Sequence, residues 1–182
     1  ISALVHKSFE KRGIGIHTSA QLKAFEKTKN GVMASVMLKG KQEVISAEQV
    51  IMAVGIVGNS EGLGLEATKV KLDRGHIVTN QVMATDEPGL YAIGDVTGAP
   101  WLAHKASHEG ILCIEAIAGL KKLHPIKPEA VPGCTYCRPQ VASVGLSEAK
   151  AKEQGYQIKV GKFPFLGNGK AIALGDDEGL VK

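Results

Sequence analysis

The stretch Leu90-Tyr91-Ala92-Ile93-Gly94-Asp95, followed after Gly98-Ala99-Pro100 by the helix-patterned residues 103–118, constrains the fold of this chain more than any other. A short apolar run that ends in Gly-Asp and leads into a helix is the pattern of an α/β layer. Residues 90–93 are expected as a buried strand, and Gly94-Asp95 fall at its carboxyl end, where ligands bind in such sheets. Gly94 lacks a Cβ, so a ligand can lie against the backbone there. Asp95 offers a carboxylate to a hydroxyl, and the following helix aims free N–H groups at the same place. Taken residue by residue, the pattern leaves two readings open: half of a ligand cradle, or a strand ending in a solvated Asp beside an ordinary helix.

Composition narrows the class. The chain has 182 residues, 44% hydrophobic and 22% charged, as in a soluble globular protein with one full domain or pieces of two or three. The net charge of +4 is mild and the basic residues are not interleaved with aromatics, so no nucleic-acid partner is expected. The longest apolar run, 50–57, is too short to span a bilayer, and no signal peptide is visible. The chain opens at Ile1 in a helix pattern and closes at Lys182 within a strand-like run, which leads to the expectation of a fragment of a longer polypeptide.

In chain order, residues 2–12 are expected as a helix with Ala3, Leu4 and Phe9 toward a core, stopped by Gly13. Residues 13–17 alternate like a short strand. Runs 22–28 and 32–38 flank Lys29-Asn30-Gly31, a strong hairpin signal, and Lys39-Gly40-Lys41 returns the chain through Val44 and Ile45. Residues 49–54 are nearly continuous apolar and suit a strand buried on both faces. Glycine-rich residues 55–64 mark a domain crossing. Another hairpin turns at Asp73-Arg74-Gly75. The helix to 118 is apolar around much of its circumference, hence expected to be largely buried, with Gly119 as its cap. Three prolines in 122–132 mark a linker. Beyond it, 141–145 is a strand, Ser147 caps a helix over 148–154 that Gly155 ends, and 158–165 and 170–174 are strands before a turn at 176–179 and a last strand. The resulting division is 1–55, 56–124 and 125–182.

Residues 89–95, Gly-Leu-Tyr-Ala-Ile-Gly-Asp, resemble the second flavin-binding motif of the flavoprotein disulfide reductases with two dinucleotide-binding domains. Trp101-Leu102-Ala103-His104-Lys105-Ala106 is similar to the dihydrolipoyl dehydrogenase version of that family. Residues 136–145, and Phe163-Pro164-Phe165 followed by Asn168 and Ala171, resemble the start of its dimerisation domain. The resemblance covers nearly the whole chain in order. It implies an α/β fold, α+β in the C-terminal part, with 1–55 ending a NAD-binding domain, 56–124 central and contacting FAD, and 125–182 beginning an interface domain. It further implies an NAD-dependent dihydrolipoyl dehydrogenase that is a cytoplasmic or mitochondrial-matrix homodimer. Its partner would be the lipoyl-bearing acyltransferase core of a 2-oxo acid dehydrogenase complex. A mercuric-reductase-like enzyme and a non-catalytic interaction module are the alternatives. One departure is Gly55-Ile56-Val57-Gly58-Asn59, where the family often has Gly-Arg-x-Pro-Asn. The N-terminal Gly-x-Gly-x-x-Gly, the Cys-x4-Cys redox pair and the C-terminal His and Glu have no counterpart in these residues.

By the same resemblance, Asp95 would accept hydrogen bonds from the ribityl chain of FAD, and backbone groups of Trp101, Leu102, Ala103 and His104 would line the flavin's pyrimidine edge. For the His104 side chain the residue pattern decides nothing. Gly55 would let NAD pass close to the backbone, or simply make a tight turn. Leu22 stands where the family has an apolar adenine contact, and by its pattern is a strand residue on the core face. Cys134-Thr135-Tyr136-Cys137 has Cys-x-x-Cys spacing but no second pair and no histidine at ligand spacing, so structural thiols rather than a redox or metal site are expected. No catalytic residue and no metal ligand is assigned within the chain.

Overall fold

Left-handed backbone at a few turn positions shapes the first part of the chain. The computed structural model describes residues 1–182 and divides into two compact units, Ile1–Val54 with Lys162–Lys182, and Gly55–Gly161. Helix α1 (Ser2–Lys11) ends at Gly13, whose φ of +82° lets Gly13 N–H reach Glu10 O and Ile14 N–H reach Phe9 O. This pair of bonds satisfies carbonyls that a helix end leaves open. Ser8 is its buried position; Leu4 and Phe9 are half-buried, whereas Ala3, expected inward, is exposed. Residues 13–17 form no strand, since no neighbour offers them a ladder.

Strands β1 (Gln21–Thr28), β2 (Gly31–Leu38) and β3 (Lys41–Ala47) make an antiparallel meander with β2 in the middle. Lys39 and Gly40, at φ +48° and +80°, form the primed two-residue turn that matches strand twist. The first turn differs from expectation in register: Thr28 pairs with Gly31, so its loop residues are Lys29 and Asn30. Gly31 instead opens β2, where a Cβ would collide with the Ala47 carbonyl. Residues 49–54, expected as a strand buried on both faces, are neither strand nor buried: Ile51 is 89% and Val54 85% exposed. Continuous apolarity says that such a segment wants cover on both faces, and no strand of this chain pairs with it.

In the second unit Gly58 packs against Gly75 so closely that a Cβ on Gly58 would collide with the Gly75 carbonyl, which also accepts from Ser60 Oγ at 2.8 Å. These contacts pin the hairpin of β4 (Leu72–Asp73) and β5 (His76–Ile77), turned by Arg74 and Gly75 at φ +49° and +81°. Glu87 Oε2 accepts from Lys69 N–H at 2.9 Å, and Lys71 Nζ lies 2.6 Å from Asp86 Oδ2, tying the 85–90 turn to the segment that leads into β4. The hydrogen bond that Lys71 donates to Asp86, and then the Asp86 charge, raise the Lys71 pKa. What this exposed pair adds is therefore present at neutral pH and lost only as pH rises through the lysine range.

Residues 90–93 run extended, but with one isolated bridge, Ala84 to Tyr91, and an Ala92 N–H bond to Met83 O at 3.0 Å. Ala92 and Met83 are buried while Tyr91 and Ile93 are exposed, so burial alternates instead of enclosing both faces. Helix α2 (Ala103–Ile117) follows and closes at Gly119, φ +73°. Its buried residues are Lys105, Glu109, Leu112 and Cys113; Ile111, Ile114 and Ile117, expected inside, are exposed. Strand β6 (Gly133–Thr135) pairs with β7 (Val141–Ser143), and Ser147 Oγ accepts from Lys150 N–H at 3.2 Å to start α3 (Glu148–Glu153). No helix is long and apolar enough to cross a membrane.

Back in the first unit, the strand expected over 158–165 shrinks to β8 (Phe163–Pro164), which pairs with β9 (Leu180–Val181). Residues 170–174 are helical, not a strand: α4 spans Gly169–Leu174. Asn168 Oδ1 accepts from Ala171 N–H at 3.0 Å and Gly175 at φ +64° ends the turn, so cap signals at both ends outweigh a short apolar alternation. Replacing the cap by Asn168→Ala is expected to lower the unfolding free energy by about 1 kcal/mol, and Asn168→Ser to change it by a few tenths. Urea denaturation of the two variants compares them, and equal costs would show that the cap is not what holds α4.

Candidate functional site

The carboxyl end of the 90–93 segment is held by charge buried under it. Gly94–Thr97 turn as a single 3-10 helix, with Gly94 at φ +78° and Gly98 at φ +101°, backbone that favours glycine at both ends. A Cβ on Gly94 would also press to 3.3 Å from Ala106 Cβ, so the turn lies directly on α2. From α2, Glu109 Oε2 accepts from Gly94 N–H at 2.7 Å, and Glu109 Oε1 pairs with Lys105 Nζ at 2.9 Å. Lys105 Nζ in turn donates to Gly94 O at 3.3 Å, Gly98 O at 3.1 Å and Thr97 Oγ1 at 3.3 Å, while the Thr97 hydroxyl donates to Gly94 O at 2.8 Å. Lys105 is 8% and Glu109 5% exposed. Two buried opposite charges, one helical turn apart, thus hold the Gly94 N–H and the carbonyls of Gly94 and Gly98 at the two ends of the turn.

The sequence reading passed over Lys105 and Glu109 as part of an apolar helix. The signal that would have found them is their spacing, a Lys and a Glu at i and i+4 on the same stripe as Leu112 and Cys113.

Against this support the expected site residues are placed as follows. Asp95 is exposed at the start of the 3-10 turn, and its carboxylate makes no hydrogen bond or ion pair within the chain. Leu102 stands at the N-cap of α2 in extended conformation with no side-chain cap, and the first bond into the helix runs from Ala106 N–H to Leu102 O. The N–H groups of Ala103, His104 and Lys105 therefore point out of the helix without an acceptor in the chain. Lys105 and Glu109 hold Asp95's turn against this same helix end, so the structure brings Asp95 and residues 101–104 into one locale. The His104 side chain, left undecided by sequence, has its Nε2 2.8 Å from Pro132 O, which makes Nε2 the protonated nitrogen. Trp101 stacks on His76, ring centroids 6.0 Å apart and planes 28° from parallel.

Gly55 has φ +125°, is exposed, and faces open space where a Cβ would stand. Leu22 pairs with Val36 beside a bulge in β1 and is 41% exposed, so it is not the core-face residue its pattern suggested. Cys113, Cys134 and Cys137 are all free thiols; Cys137 Sγ donates to Pro139 O at 3.0 Å.

An exposed carboxylate without a partner in the chain accepts hydrogen bonds, and a helix end with free donors favours an electron-rich group. Residues 1–110 match the family model of the pyridine nucleotide-disulphide oxidoreductases, and residues 131–182 match the dimerisation domain of the same group. The chain belongs to the pyridine nucleotide-disulphide oxidoreductase family. Among its relatives, a dihydrolipoyl dehydrogenase of Rhizobium etli is 56% identical over all of this chain and 38% of its own length. Another, from Zymomonas mobilis, is 49% identical over all of this chain and 39% of its own. The chain thus spans about two fifths of the curated relatives it matches. The crystal structure of LpdA from Mycobacterium tuberculosis superposes with a TM-score of 0.87 at 26% identity, over 98% of this chain and 38% of that one. The flavoprotein disulfide reductase RclA of Escherichia coli superposes at 0.84 with 20% identity, over 99% of this chain and 41% of that one, a likeness of fold. The mixed helix and strand architecture is that of this oxidoreductase family.

The buried pair gives a direct expectation. Lys105→Met leaves the Glu109 carboxylate buried without its cation and should cost roughly 3–5 kcal/mol of stability. The double variant Lys105→Met/Glu109→Leu removes both charges and should cost clearly less than the two single changes added together. Denaturant titration of all four proteins measures this, and simple additivity would rule out the pairing.

Proposed function

We propose that this chain is the central part of a dihydrolipoyl dehydrogenase, with residues 1–55 closing its NAD-binding domain, 56–124 forming a FAD-contacting domain and 125–182 opening its interface domain. The observation that carries the reading is the conjunction at one place: an unpaired Asp95 carboxylate and the free N–H groups of α2, locked together by Lys105 and Glu109. The family membership and the names of the relatives support it.

The donor set suits FAD. Asp95 accepts hydrogen bonds from hydroxyls of the ribityl chain, and backbone groups of Trp101, Leu102, Ala103 and His104 line the flavin's pyrimidine edge. The end of α2 favours negative charge at that edge by roughly 1–2 kcal/mol where it is partly buried. Bound FAD would supply two-electron exchange between a dithiol–disulfide pair and NAD. Lys105 and Glu109 keep the turn from relaxing as charge at the edge changes, so the donors need not reorganise. Gly55 lets NAD pass close to the backbone, and Leu22 contributes an apolar contact to its adenine.

The whole enzyme would be a cytoplasmic homodimer serving the lipoyl-bearing acyltransferase core of a 2-oxo acid dehydrogenase complex. Residues 1–182 contribute binding groups and no acid, base or nucleophile, so by themselves they are expected to be inactive.

The test uses the full-length gene product. It should carry FAD and form NADH from dihydrolipoamide and NAD, and Asp95→Ala should weaken FAD binding about 10- to 100-fold, the loss of a hydrogen bond to a charged group. A colourless protein, or one indifferent to dihydrolipoamide, would overturn the proposal.

A further inference from the structure

His76 belongs to none of the groups described above, yet its ring lies against the loop that enters α2. The ring stacks on Trp101 at 6.0 Å between centroids, and an ideal Cβ on Gly98 would stand 3.8 Å from its Cγ and 3.9 Å from its Cδ2. It therefore meets both ends of the 98–101 loop, the only covalent link between the turn bearing Asp95 and α2. Its Nε2 is shut off from solvent with no hydrogen-bond partner. Within this chain, then, the ring meets the loop through its face and not through Nε2.

The hairpin that presents His76 is itself fixed. Arg74 and Gly75 take left-handed backbone, Ser60 Oγ donates to Gly75 O at 2.8 Å, and Gly58 packs on Gly75 with no room for a Cβ. A ring carried on such a support can resist displacement of what it stacks on. The loop needs that resistance, because Lys105 reaches its start at Gly98 but none of its contacts reaches Trp101.

We propose that His76 is a positioning residue for the flavin edge: by stacking on Trp101 it sets the backbone of 101–104 in the conformation that meets the cofactor. This rests on the assignment of FAD to Asp95 and residues 101–104. The loss of such an aromatic pair corresponds to a roughly three- to tenfold weaker hold on FAD.

The experiment takes the full-length protein and measures the FAD dissociation constant and the visible circular dichroism of the bound flavin. His76→Ala is expected to weaken FAD binding three- to tenfold and alter the flavin dichroism; His76→Phe, which keeps an aromatic face, should leave both within about twofold of the unaltered protein. Trp101→Ala should mimic His76→Ala, and the double variant should be no worse than either alone, because one contact is removed twice. Should His76→Ala fail to fold, His76→Leu takes its place beside His76→Phe, since leucine fills space without a ring face. Asp95→Ala separates the two levels. If it weakens FAD binding while the His76 variants do not, or if His76→Phe loses as much as His76→Ala, the role of His76 is overturned. If Asp95→Ala also leaves FAD binding unchanged, the flavin site itself is wrong and the role of His76 falls with it.

Discussion

The ion pair between Lys105 and Glu109 is what the rest of the site depends on. Both side chains are more than nine-tenths buried, and a buried charge without a partner would cost several kcal/mol. Each is instead spent on backbone: Glu109 holds the N–H of Gly94, and Lys105 holds the carbonyls of Gly94 and Gly98 together with the Thr97 hydroxyl. Such a pair adds little net stability over apolar residues of equal volume, but it is directional where dispersion is not. Leucines in those positions would bury as well and would leave the Gly94–Thr97 turn free to shift along the helix.

That direction decides which polar groups find a partner within the chain. The pair engages the Gly94 N–H, the Gly94 and Gly98 carbonyls and the Thr97 hydroxyl, and α2 starts at Leu102, which has no side chain able to cap it. The Asp95 carboxylate and the first N–H groups of α2 therefore remain for something outside the chain. Close by, His104 in the first turn of α2 is bonded to Pro132 O, and His76 stacks on Trp101. The locale is rigid in its support and open in its donors, which is what binding a cofactor without reorganisation asks for.

Apolar pattern and burial part company at several positions. Ile51 and Val54, and the stripe of Ile111, Ile114 and Ile117 on α2, are exposed although their pattern is that of interior residues. Apolar periodicity records that a face is to be covered; it carries no information on whether the cover is in the same stretch of sequence. Residues 49–54 form no strand, because a strand exists only as part of a ladder and no strand of this chain pairs with them.

Local chemistry was legible from sequence wherever a few adjacent residues decide it. The left-handed turns at Lys39-Gly40 and Arg74-Gly75, the helix stop at Gly13, the cap at Ser147 and the Gly-Asp turn before α2 all follow from the φ a residue tolerates or the one hydrogen bond a side chain reaches. The family resemblance rested on several motifs in order, at 89–95, 101–106, 136–145 and 163–171, whereas the Gly-Asp turn taken alone left two readings open. The α4 segment was misread where cap signals at Asn168 and Gly175 competed with a short alternation. What only the tertiary structure decided is which polar groups are consumed and which stay free. Lys105 and Glu109 lie unremarked in an apolar helix pattern and His76 in a hairpin, and their contacts arise when folding carries Gly94, Gly98 and Trp101 against them.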